Sequence, residues 1–98
     1  MLDDIEQHAA IFKALSDPSR LQILKILEAG DRSVTEIVDY FSLSQPTISR
    51  HLSALKSSGL VKAKKQDQQK IYSLDNDALK SFLKSYFGSF ESLRGFKL

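Results

Sequence analysis

The sequence has no cysteine and no tryptophan, and only one methionine, two prolines and four glycines in 98 residues. Without cysteine there is no disulfide, no thiolate zinc site, no iron–sulfur cluster and no nucleophilic thiol. That absence fits a reducing, cytoplasmic setting. Prolines and glycines are too few for a flexible linker, and there are no repeats or low-complexity tracts. One domain over residues 1–98 is expected. Long apolar runs are missing as well. The longest stretch free of charge is ten residues, Tyr40 to Ser49, far short of the roughly 20 needed to cross a bilayer. Asp3, Asp4 and Glu6 give the N-terminus the wrong sign for a secretory signal, so no membrane partner is expected. Gly-rich phosphate loops and clustered carboxylates are also absent. Ser49 and His51 face different directions on one helix with no orienting acid, so no catalytic residue is assigned.

What is present is an uneven distribution of charge. The formal net charge is +2. Residues 1–43 carry four basic and eight acidic side chains, giving −4. Residues 44–74 carry Arg50, Lys56, Lys62, Lys64, Lys65 and Lys70 against Asp67 alone, giving +5. Positive charge gathered in one stretch is what a polyanion binder needs, because each neutralised phosphate releases counterions.

The periodicity predicts a mainly helical α+β chain. Leu2, Ile5, Ala9 and Phe12 mark one face of a first helix. Asp17 then serves as an N-cap and Pro18 as the first residue of a second helix. Leu21, Ile23, Leu24, Ile26 and Leu27 give that helix a wide apolar stripe, and Gly30 supplies a left-handed cap at its end. Ser33-Val34-Thr35-Glu36 reads as a capping box. It starts a third helix that runs to about Tyr40 and buries Ile37 with Val38 or Phe41. A further cap at Ser44 starts a fourth helix running to about Ser58, with Ile48, Leu52 and Leu55 as its core stripe and Gly59 closing it. Residues of about 33–58 thus form a helix-turn-helix. Two strands, Leu60 to Gln66 and Lys70 to Leu74, flank Asp67-Gln68-Gln69 as a hairpin over about 60–74. Val61, Ala63, Tyr72 and Leu74 face inward, and Asp67 is the candidate left-handed residue. Asp75 caps a last helix over about 75–90.

The order helix, helix, helix-turn-helix, hairpin, helix is that of a winged helix-turn-helix. The fourth helix turns Pro46, Thr47, Arg50, Ser53, Ala54 and Ser57 away from its core stripe. Gln45, Ser49 and Lys56 flank that face on one side and His51 on the other. The face holds small and hydrogen-bonding residues and no acid. Gln and Arg can make paired bonds to adenine and guanine, and Ser or Thr can serve several bases or phosphates. In the hairpin, Lys62, Lys64, Lys65, Gln68, Gln69 and Lys70 are placed to straddle a phosphate backbone, a contact that positions rather than specifies.

Four blocks, Ala14-Leu15-Ser16-Asp17-Pro18-Ser19-Arg20-Leu21-Gln22-Ile23-Leu24, Ser44-Gln45-Pro46-Thr47-Ile48-Ser49-Arg50-His51-Leu52, Leu55-Lys56 and Ser58-Gly59-Leu60-Val61, resemble the ArsR/SmtB family of winged-helix repressors. The match covers roughly residues 9–75. It implies a homodimer joined through the first and last helices, an imperfect palindromic operator in double-stranded DNA, and repression. It also implies recognition contacts at Ser44, Gln45, Thr47, Ser49, Arg50 and His51. The departures carry information too. Many members sense metal through a Cys-x-Cys at the start of the third helix, where this chain has Ser33 and Thr35. Others use Asp and His on the last helix, which here contains no His. The chain therefore resembles the metal-independent autorepressors, with no metal ligand or cofactor assigned and with a partner protein or small-molecule effector as the remaining means of control. Its wing tip lacks the glycine usual in the family.

Leu79, Phe82, Leu83, Tyr86, Phe87 and Phe90 repeat at helical spacing, and four of the six are aromatic. Such a stripe exceeds what one core contact requires. Part of it, together with Leu2, Ile5 and Phe12, is expected to pack against a two-fold mate. A competing reading keeps the fold and makes the basic face a docking site for an acidic partner protein.

Overall fold

The computed structural model describes residues 2–97, with side chains from residue 4 onward. The expected interface residue Leu2 lies outside the described side chains. Helix α1 (Leu2–Leu15) stops at the Ser16-Asp17-Pro18 corner, where Ser16 Oγ donates to the Lys13 carbonyl at 2.7 Å. Asp17 Oδ1 then accepts from the amides of Ser19 and Arg20 at 2.8 and 3.3 Å, opening α2 (Pro18–Ala29) with proline in its first turn. Ile23, Ile26 and Leu27 are buried, whereas Leu21 is half exposed on the outer side. The buried stripe of α2 is therefore narrower than its sequence suggests. Gly30 does end α2, but at φ 157° and ψ 160° rather than in the left-handed helical region. That corner of backbone space is open essentially to glycine alone.

A two-residue strand, β1 (Arg32–Ser33), follows and pairs antiparallel with a later strand, β3 (Gln69–Leu74), placing Arg32 opposite Tyr72 and Ser33 opposite Ile71. With β2 (Val61–Gln66) the sheet has three strands in the order β1-β3-β2, where the sequence predicts only a hairpin. Two residues carry no alternation of their own, so nothing local marks β1. Ser33 then caps α3 (Val34–Val38), and both halves of the capping box are formed. Its hydroxyl accepts from the Glu36 amide at 3.2 Å, and the Glu36 carboxylate accepts from the Ser33 amide at 2.9 Å. Helix α3 stops at Val38, two residues before the expected Tyr40, as Tyr40 and Phe41 bond back to the carbonyls of Ile37 and Val38.

Helix α4 (Gln45–Ser57) is capped by Ser44 and closed by a pair of backbone hydrogen bonds. The Leu60 amide donates to the Leu55 carbonyl and the Gly59 amide to the Lys56 carbonyl, with Gly59 at φ 86°. This is the Schellman arrangement, which needs a left-handed residue where Gly59 stands. Leu60 thereby belongs to the cap, so β2 begins at Val61. Gln66 pairs with Gln69, so the wing turn is two residues, Asp67-Gln68, and not the expected three. Asp67 holds the left-handed conformation at φ 57°, as its residue type predicts. The register places Val61 opposite Leu74 and Ala63 opposite Tyr72, which sets these four side chains toward the core.

One cluster holds the elements together. Ile23 and Leu27 of α2, Ile37 of α3, and Ile48, Leu52 and Leu55 of α4 meet Val61 and Tyr72 of the sheet. Asp75 caps α5 (Asn76–Phe87) through the Ala78 amide at 3.0 Å. The helix ends earlier than the expected residue 90. Ser89 Oγ donates to the Tyr86 carbonyl at 2.6 Å, and a 3-10 turn at Glu91–Leu93 follows. Among the described residues no helix is long and apolar enough to cross a membrane. The architecture is a winged helix-turn-helix.

The capping box gives a pH signature. Hydrogen bonds from the Ser33 amide and hydroxyl, with a smaller contribution from Arg32, hold the Glu36 carboxyl below its ordinary value of 4.5. A carboxylate with a depressed folded-state pKa stabilises the fold above its unfolded value, and that contribution is lost as pH falls through the folded value. Glu36→Gln keeps an acceptor at this position and removes the titration. Thermal midpoints measured from neutral pH into the range below 4.5 should therefore fall more steeply in the parent than in Glu36→Gln.

Candidate nucleic-acid interface

Helix α4 buries Ile48, Leu52 and Leu55 completely, which decides which of its faces is turned inward and which outward. Gln45, Pro46, Arg50, Ser53, Lys56 and Ser57 are exposed, while Thr47, Ser49 and Ala54 are partly covered. Ser44 holds the N-terminus in order: its hydroxyl lies 2.9 Å from Thr47 Oγ1 and accepts from the Thr47 amide at 3.3 Å. Pro46 in the first turn removes an amide that would have lacked an intrahelical partner.

The wing stands beside this helix. Lys62, Lys64, Lys65, Gln68, Gln69 and Lys70 are all exposed. Alternation along β2 puts Lys62 and Lys64 on its outer side and sends Lys65 to the same side as Ala63 and Val61. Lys65 sits directly opposite Lys70. Like charges in such a cross-strand pair repel, so the tip is a poor arrangement for a wing with nothing to bind.

Between α4 and the wing runs a polar groove of about 390 Å³. Gln45, Ser49 and Ser53 line it from α4, and Gln68, Gln69, Lys70 and Tyr72 from the wing. Ser33, Val34 and Thr35 close its end. None of these lining residues is acidic. Five of the expected contact residues, Gln45, Ser49, Gln68, Gln69 and Lys70, are thus brought to one surface. Ser44, Thr47 and Arg50 lie on the N-terminal half of α4 outside the groove lining, Lys56 sits in its last turn, and Lys62 and Lys64 occupy the far side of the wing.

His51 departs from expectation. It turns away from the exposed face toward the α1–α2 corner, where its Nδ1 accepts from Arg20 Nε at 3.1 Å. Its side chain is 15% exposed and its Nε2 lies 3.9 Å from Asp17 Oδ1. A helical wheel places His51 at the margin of the face, and the partner that draws it inward is 31 residues away in sequence. Thr35 and Tyr72 were missed by the sequence reading. Their place in the groove depends on the β1–β3 pairing, which has no local signal. Ser53 had a signal, one helical turn beyond Ser49.

The expected dimer surface is also redistributed. Ile5 and Phe12 of α1 and Phe90 beyond α5 are exposed, and Leu79, Leu83, Tyr86 and Phe87 are partly covered. Phe82 is buried within the protomer, with its ring 5.0 Å from that of Phe12, so it closes α5 onto α1 and offers little surface to a mate. Tyr86 joins Phe12 at 5.1 Å and Phe90 at 5.3 Å, extending an aromatic row from the α1–α5 contact to the surface.

An acid-free helix face, a basic wing and a helix-turn-helix frame together define a DNA-binding winged helix-turn-helix. The family model for bacterial regulatory proteins of the arsR family matches residues 17–63. An uncharacterised helix-turn-helix transcriptional regulator of Methanocaldococcus jannaschii is 44% identical over 84 residues, covering 85% of this chain and 94% of that protein. The transcriptional repressor SdpR of Bacillus subtilis is 39% identical over 69 residues, 70% of this chain and 77% of the repressor. Among solved structures, the homodimeric winged helix-turn-helix DNA-binding domain of a Mycobacterium bovis regulator superposes with a TM-score of 0.73 at 34% identity, covering 91% of this chain and 83% of that one. The chain belongs to the ArsR family of DNA-binding transcriptional regulators.

Proposed function

We propose that the chain acts as a repressor, binding a palindromic operator as a homodimer and releasing it without a metal signal. The observation that carries this is the acid-free groove between α4 and the wing, set beside an exposed Arg50. In this reading Gln45, Thr47, Ser49 and Arg50 meet base edges and adjacent phosphates, with Ser44 at the helix start. Lys56, Lys62, Lys64, Lys65, Gln68, Gln69 and Lys70 meet the backbone. Exposed Ile5, Phe12 and Phe90, with the partly covered Leu79, Leu83, Tyr86 and Phe87, face the two-fold mate. A two-fold pair of recognition helices about 34–36 Å apart spans one turn of DNA, which is the geometric origin of the palindrome.

Metal independence is supported by what occupies the third helix's first turn. Ser33 is tied into the capping box, and Thr35 Oγ1 lies 3.4 Å from its hydroxyl. A cytoplasmic location follows from the proposed role in transcription.

The test begins with selection of bound sequences from a random DNA library, which supplies the operator. Against that operator, Gln45→Ala or Arg50→Ala should cost about 1–3 kcal/mol and relax the preference at one base position. Equal losses on operator and random DNA would refute base reading at those residues. Lys64→Ala or Lys65→Ala should instead weaken binding to every sequence and reduce the slope of log affinity against log salt by about one. Ile5→Glu, on the exposed side of α1, should shift the sedimentation of a dimer at micromolar concentration toward monomer while leaving helicity intact. A parent that sediments as monomer there removes the homodimer from the proposal.

A further inference from the structure

The polar bond that reaches α4 from the rest of the protomer lies on the side opposite the groove. Apolar packing of Ile48, Leu52 and Leu55 holds α4 down, but such packing is non-directional and tolerates a roll of the helix. A roll of about 20° carries a side-chain tip about 6 Å from the axis through about 2 Å. That displacement exceeds what a base-edge hydrogen bond survives. Close packing of the core limits that roll, and a directional contact narrows it further.

Arg20 and His51 supply one. Arg20 Nε donates to His51 Nδ1 at 3.1 Å, and Arg20 Nη1 lies 3.4 Å from the Ala14 carbonyl at the end of α1. Asp17, which caps α2 by accepting from the Arg20 amide, also approaches His51 Nε2 at 3.9 Å. The guanidinium thus touches the last turn of α1 with one nitrogen and α4 with another, from a backbone position that Asp17 fixes. Among the described residues this is the only side-chain hydrogen bond between α4 and the three helices that precede it. For Arg20 to donate to Nδ1, that nitrogen must be bare, with the imidazole proton on Nε2 toward Asp17.

We infer that His51 is a positioning residue for operator recognition: with Nδ1 unprotonated it accepts from Arg20 and locks the roll of α4 against the α1–α2 corner. The inference rests on the proposal that the face of α4 bearing Gln45 and Arg50 reads bases. Its consequence is selective. Sequence-specific contacts depend on the azimuth of α4, whereas non-specific attraction to phosphates does not.

The test compares His51→Ala, His51→Asn, Arg20→Met and the double variant His51→Ala/Arg20→Met by fluorescence anisotropy on operator and on random duplex. All are measured well below the unfolding midpoint of each. An asparagine side-chain oxygen can stand where Nδ1 stands, so His51→Asn should remain within about threefold of the parent, whereas His51→Ala and Arg20→Met each lose about tenfold on the operator and less than about twofold on random DNA. The double variant should lose no more than either single, because both break one bond. If operator affinity is unchanged while only the unfolding midpoint drops, the contact is purely a stability device and the inference fails. If His51→Asn is as weak as His51→Ala, and Arg20→Met adds to it, His51 touches DNA directly and the inference fails in a different way. Should His51→Ala not fold, His51→Asn against Arg20→Met decides the same question. Arg50→Ala in parallel separates the two levels: undiminished operator binding there overturns base reading by α4 itself.

Discussion

The constraint on which the structure depends is the complete burial of Ile48, Leu52 and Leu55 on one side of α4. Each such side chain contributes about 1.5–3 kcal/mol relative to exposure. Their partners come from every neighbouring layer: Ile23 and Leu27 behind, Ile37 beside, and Val61 and Tyr72 across the sheet. Because the buried stripe is this full, the opposite side of the helix is free of any folding role. It can be polar, as Ser49, Arg50 and Ser53 are, without loss to the core. The same packing brings the base of the wing against α4, so the groove between them is a by-product of core geometry.

Much of this was legible in the chain. The caps at Asp17, Ser33, Ser44 and Asp75 are all formed as their residue types require, because an N-cap is a local hydrogen bond between near neighbours. Asp67 takes the left-handed turn position for an equally local reason. What the chain did not reveal is long-range. Strand β1 exists because Arg32 and Ser33 find Tyr72 and Ile71 some forty residues on, and His51 turns inward because Arg20 is waiting there. Phe82 reads as one member of an interface stripe, and the approach of His8 and Phe12 from α1 turns it into the protomer instead. Periodicity defines which residues share a face, but the depth at which each one lies depends on a partner that the period does not contain.

Ser33 illustrates how several demands converge on one residue. It ends β1, caps α3 and lies buried. A cysteine sulfur could not match its hydroxyl as an acceptor for the Glu36 amide. The capping box therefore accounts for serine at this position on structural grounds alone. Thr35, two residues on, lines the end of the groove with it. The start of the third helix has thereby become part of the frame that carries the wing and the end of the groove.

The wing divides its stability from its charge along its length. At its base, Val61 opposite Leu74 and Ala63 opposite Tyr72 set the register, and a slip by one residue would turn all four out of the core. At its tip, Lys65 faces Lys70 across the ladder, with Asp67 as the only acid nearby in the hairpin. The tip repels itself in water, and the base is what keeps the strands paired despite it. A polyanion lying along the groove would meet Lys70, which lines it, and relieve part of the repulsion from Lys65 across the ladder. The anchored base thus tolerates the pair in the free protein, and in the proposed complex the two lysines would meet phosphates instead of each other.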